Sequence, residues 1–133
     1  MADAVTSQTL IDNDRRAVIK LTNVSDSTGE SAVTKVDVSG LNADDEGRAC
    51  TSVSIEGIRY DIAGMKVRLL WDATTDVDCF VLGDSNNGTL CFKDFGGLIN
   101  NSGAGKTGDI KLTTIGASAN DSYSLILCLL KNY

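Results

Sequence analysis

The feature that most constrains this chain is a series of short segments in which apolar and polar residues alternate with period two. Residues 32–38 place Val36 and Val38 on one face with Thr34, and Val33 on the other. Residues 50–56 repeat the pattern in a Ser/Thr-rich form, and residues 65–71 set Val67, Leu69 and Trp71 against Lys66 and Arg68. Residues 17–22 make an apolar run with a polar break, and residues 78–82, 89–92 and 109–115 are further strand candidates, with Gly, Asn and Asp between them. Such alternation means one buried and one wet face, the signature of antiparallel sheet. Residues 123–130 differ: they are almost continuously apolar, which predicts a central strand buried on both faces. About eight strands at roughly ten-residue spacing predict an all-β, single-domain antiparallel β-sandwich or jelly-roll-like fold with an N-terminal arm.

A chain of 133 residues is one ordinary domain. Residues 1–14 are expected to be an arm or a short helix, because Thr6-Ser7-Gln8-Thr9-Leu10-Ile11 is too brief to hold a helix alone. Residues 15–133 form the sandwich, and deleting residues 2–12 is expected to leave it folded. Proline is absent, so lysine, aspartate and glycine must protect the sheet edges or another chain must cover them.

Charge and composition exclude several functions. Twelve basic against eighteen acidic residues give a formal charge of −6, and no basic stripe exists that could neutralise phosphates. Nucleic acid and membrane are therefore not expected as partners. The start, Met1-Ala2-Asp3-Ala4, shows no basic segment leading into an apolar one, so a soluble chain, intracellular at least when made, is expected. The absence of histidine removes the His-based triads and the commonest zinc ligand. Cys50, Cys79, Cys91 and Cys128 contain no C-x-x-C pair and are expected to be reduced. Cys79 and Cys91 flank an expected hairpin over Gly83-Asp84-Ser85-Asn86-Asn87-Gly88, so a disulfide between them is the alternative.

Three motifs invite a chemical reading. Gly103-Ala104-Gly105-Lys106-Thr107-Gly108 resembles the end of a phosphate-binding loop, but Asn100 stands where its first glycine belongs and a strand pattern follows instead of a helix. Asp12-Asn13-Asp14 opens like a calcium loop and then continues Arg15-Arg16. Asp72, Asp76 and Asp78 form a compact acidic trio that could hold a hard cation, with a solvated turn as the plain alternative. Trp71, at even spacing from Val67 and Leu69, is expected in the core, not on a glycan-binding platform. With nucleophile, base and oxyanion donors nowhere together, neither an enzyme nor a cofactor is expected.

The opening Met1-Ala2-Asp3-Ala4-Val5-Thr6-Ser7-Gln8-Thr9 with Asp14-Arg15-Arg16-Ala17-Val18, the segment Gly29-Glu30-Ser31-Ala32-Val33-Thr34-Lys35-Val36-Asp37-Val38, and Leu70-Trp71-Asp72-Ala73-Thr74-Thr75-Asp76 carry a resemblance. Phe95-Gly96-Gly97, Gly105-Lys106-Thr107-Gly108-Asp109-Ile110 and Asp121-Ser122-Tyr123-Ser124 extend it over nearly the whole chain. The chain resembles small virion structural proteins of tailed marine bacteriophages, cyanophages among them. The resemblance implies a non-enzymatic particle component on the virion's capsid surface. The first expectation is a capsid decoration (cement) protein that stabilises contacts between major capsid subunits. Its partners would be the phage major capsid protein and copies of itself, as in a trimer. A tail or neck subunit, or a receptor- or glycan-binding β-module displayed on the virion, are the alternatives. The expected partner interface is Ala2, Val5, Thr6, Thr9, Leu10 and Ile11, adding a strand to a neighbouring sheet.

Overall fold

In the computed structural model, residues 4–83 and 87–133 are described. Strand β2 (Arg16–Asp26) buries Ala17, Ile19, Leu21, Asn23 and Ser25 in strict alternation and turns Val18, Lys20 and Thr22 outward, as period-two patterning requires. The same rule sets β8 (Ile110–Ile115) and β5 (Lys66–Trp71), whose Ile110, Leu112, Val67, Leu69 and Trp71 all face inward. Nine strands result among the described residues, in two antiparallel sheets. One sheet has the order β1-β2-β9-β4-β7, with β1 at Ala4–Asp12, β9 at Ala119–Asn132, β4 at Ser52–Ala63 and β7 at Asn87–Cys91. The other is β3-β8-β5-β6, with β3 at Val33–Val36 and β6 at Val77–Leu82. Their inner faces close on one apolar core that includes Leu21, Ile58, Leu125 and Leu127 from the first sheet and Leu69, Trp71 and Leu112 from the second. The fold is an all-β sandwich.

Four local expectations are corrected. Residues 4–12, expected as an arm or short helix, are the edge strand β1, paired with β2 from Ala4↔Val24 to Asp12↔Ala17. The division at residue 14 therefore falls in the turn of a β-hairpin, inside the sandwich and not beside it. The strand expected over 32–38 ends at Val36, and a 3-10 turn over Val38–Gly40 follows, capped by the Asp37 side chain accepting from the Ser39 N–H. Cys79 and Cys91 do not lie across a hairpin. β6 pairs with β5 in one sheet and β7 with β4 in the other, so the chain changes sheets between them. The central position expected for residues 123–130 holds, since β9 lies between β2 and β4, but only one of its faces is buried. Ile126, Cys128 and Leu130 are half-exposed on the outer face.

Candidate functional site

The acidic trio does not converge. Asp72 Oδ1 lies 2.9 Å and Asp76 Oδ2 3.4 Å from Lys111 Nζ, which arrives from β8, so this pair already shares a cation of the chain itself. The Lys111 ammonium, then the Thr107 hydroxyl, hold the Asp72 carboxyl below the ordinary carboxylate range, and the Asp72 carboxylate in turn raises Lys111. Asp78 turns away to Arg68, at 2.8 Å. Among the described residues no group of three or more acidic or cysteine side chains is placed to hold a metal.

The glycine-rich loop is bound into the same corner. Thr107 donates from Oγ1 to Asp72 Oδ2 at 2.8 Å and from its N–H to the Asp72 carbonyl at 3.2 Å, and the Thr74 N–H donates to the Ala104 carbonyl at 3.1 Å. Its glycines answer to packing. Gly105 has φ +77° against Thr74, and Gly108 has φ +89° with its α-carbon set against the Thr51 carbonyl oxygen. A strand, β8, follows where a phosphate-binding loop needs a helix N-terminus. The Gly108→Ala variant must place a methyl on a backbone oxygen at a left-handed φ, and is expected to lose about 2 kcal/mol in urea unfolding. Unchanged stability would show that the loop gives way freely.

The corner where β1 turns into β2 is the most elaborately bonded part of the molecule. Asn13 Oδ1 accepts from the N–H groups of Arg15 (3.0 Å) and Arg16 (2.9 Å), so the residues that resemble a calcium loop instead close a tight hairpin turn. Lys131, fully buried, donates to the Asp12 carboxylate, to the Asn13 carbonyl at 2.6 Å and to the Asn42 carbonyl at 3.1 Å. Asp12 Oδ2 accepts from the Asn42 N–H at 2.9 Å. Deleting residues 2–12, expected from the sequence to leave a folded domain that no longer binds its particle, would remove one of the two strands paired with β2 and the carboxylate that Lys131 holds. Beside this knot an open cleft of about 470 Å³ is lined by Asp14, Asp44, Asp45, Arg48 and Tyr133 among others. The Asp14 carboxylate raises Asp45 there. Burial would raise Asp44 as well, but hydrogen bonds from the Arg48 backbone and guanidinium outweigh it and hold Asp44 low.

The residues expected at a partner interface fall on the free edge of β1. Ala2 lies outside the described residues. Val5 is 40%, Leu10 45% and Ile11 48% exposed. Thr6 is exposed and contacts the Thr22 hydroxyl, and Thr9, also exposed, pairs with Ile19. The register shifts between Thr9 and Ile11, so Leu10 is the extra residue of a β-bulge. The backbone of Val5, Thr6, Thr9 and Ile11 is already paired with β2 on one side, which the reading of an arm missed. That leaves a single open edge.

The four cysteines are free thiols. Burial pushes the Cys79 thiol far above its ordinary value, and burial likewise raises Cys50. Trp71 is 1% exposed and belongs to the core, so it offers no platform to a sugar. No protein-family model matches the chain, and no curated protein sequence matches it either.

Proposed function

We propose that the chain is a non-enzymatic structural protein of a tailed-phage virion, a decoration protein bound to the outside of the head and stabilising contacts between major capsid subunits. The observation that carries this reading is the edge of β1: nine residues long, without a charged group from Ala4 to Ile11, and with no strand paired on its outer side among the described residues. Proteins that act alone blunt such an edge with lysine, proline or a covering loop. Here only the bulge at Leu10 does so. The resemblance to virion proteins supplies the setting. An edge used for assembly supplies many weak contacts that symmetry repeats, and binding restricted to the assembled shell stabilises that shell by mass action.

The test is the copy number and position of this chain in purified virions, by quantitative mass spectrometry and cryo-electron microscopy. On the order of hundreds of copies spread over the head are expected from icosahedral repetition. Density at one vertex alone would move the chain to the tail or neck, and its absence from particles would end the virion reading.

A further inference from the structure

We infer that the open edge of β1 pairs with β1 of a second copy of the chain, antiparallel across a two-fold axis, joining the two five-stranded sheets into one. This rests on the reading of β1 as an assembly edge and names its occupant.

Three observations favour a second copy. The first is charge. The chain carries −6 overall, so two copies repel each other over most of their surface. The segment from Ala4 to Ile11 carries no charge, and copies meeting there bring the fewest like charges together. A basic partner would find no carboxylate on this stretch to recognise.

The second is geometry. An antiparallel edge is its own complement under a two-fold rotation, so each hydrogen bond is made twice. A two-fold normal to the sheet keeps the inner face of both copies on one side, which requires residues of equal face to stand opposite one another. Val5 and Thr9 pair with Asn23 and Ile19, both buried, so they share the inner face with Ser7 between them. An axis through Ser7 then sets Val5 of one copy against Thr9 of the other and covers both.

The third is the distribution of exposed apolar side chains. Of the ten large ones left exposed among the described residues, four (Val5, Leu10, Ile11 and Val24) lie on the β1–β2 hairpin. The other edges are worse candidates. β3 has four residues, β6 has six and carries Asp78, and β7 has five including Gly88, against nine in β1. Since β1 offers one edge per chain, pairing closes at a dimer.

The experiment is sedimentation equilibrium of the purified full chain over a wide concentration range, in parallel with the Val5→Lys/Thr9→Lys double variant and an Ile99→Lys control. Both substituted residues are already exposed, and Ile99, 71% exposed, lies far along the chain in the β7–β8 connection. Wild type and control are expected to dimerise alike, and the double variant at least about tenfold more weakly, since opposed lysines on paired strands repel. Unchanged far-ultraviolet circular dichroism and a single cooperative melting transition show that the variant is folded. A wild type that stays monomeric, or a double variant that dimerises as tightly as wild type, overturns the inference. A virion-binding assay with the same proteins separates this from the functional reading. If the double variant fails to bind virions while wild type is monomeric, β1 is a shell contact and self-pairing is wrong.

Discussion

Lys131→Met lowers the stability of the folded chain by about 3–5 kcal/mol, the range found when one partner of a buried ion pair is removed. The side chain is fully buried at the end of β9, and methionine keeps most of its stem, so packing changes little. The ammonium is what is lost. It ties the Asp12 carboxylate at the end of β1 to the carbonyls of Asn13 and Asn42, so one group joins the first hairpin, the connection that leads into β4 and the last strand. Without it the Asp12 carboxylate, whose side chain is 14% exposed, has lost its cation. The Asn13 and Asn42 carbonyls lose a donor as well. Chemical denaturation should show a lower midpoint with unchanged slope, and the melting temperature should fall by about 10 °C or more for a domain of this size. A loss below about 1 kcal/mol would mean that the knot acts as a surface pair.

Glu30→Ala has an effect of the same size for a different reason. Glu30 lies between the sheets. Its Oε1 accepts from Asn23 Nδ2 and from the Tyr123 hydroxyl, each at 2.6 Å, and its Oε2 pairs with Lys35. Asn23 and Tyr123 belong to the first sheet and Lys35 to β3 of the second, so the carboxylate joins the two layers directly. The Glu30 N–H also donates to Thr114 Oγ1 at 2.9 Å, which fixes the backbone of the same residue. The side chains of Lys35 and Glu30 are only 5% and 6% exposed, so alanine strands a buried ammonium, at about 3–5 kcal/mol. The double variant Glu30→Leu/Lys35→Met removes both charges and keeps volume. It should regain at least half of that loss, because apolar replacement of a whole buried pair is often neutral. If it is no better than Glu30→Ala, the damage comes from Asn23 and Tyr123, and the ion pair itself matters little.

Periodicity made the strands legible where one face is wet, as in β2, β5 and β8. It failed where a strand departs from that condition. β1 has an exposed side chain at nearly every position, so Val5, Thr6, Ser7 and Gln8 show no buried face to read. β4 runs to Ala63, beyond the segment 50–56 that alternates, because Gly57 reads as a breaker. In the sandwich it passes beside the Leu90 carbonyl, where an added methyl would sit 3.1 Å from the oxygen. The outer face of β9 carries Ile126, Cys128 and Leu130, which hides the alternation that would have marked it as half-exposed. Pairings between distant segments were illegible for a separate reason. The partner of Asp72 is Lys111 and that of Asp12 is Lys131, each supplied by a strand far along the chain, and local composition carries no trace of either. The Cys79–Cys91 hairpin failed likewise, since nothing in a glycine-rich connection says whether it reverses within a sheet or crosses to the other.

The placement of β9 between β2 and β4 governs the order in which the molecule can be built. During synthesis β1, β2 and β4 leave the ribosome early, yet β2 and β4 pair not with each other but each with β9, so their ladders wait until residues 119–132 arrive to lie between them. Because loop-closure entropy must be met before such distant pairings return any gain, folding should be slow and largely post-translational. For much of its birth the nascent polypeptide is held as an unfinished ribbon with both margins bare.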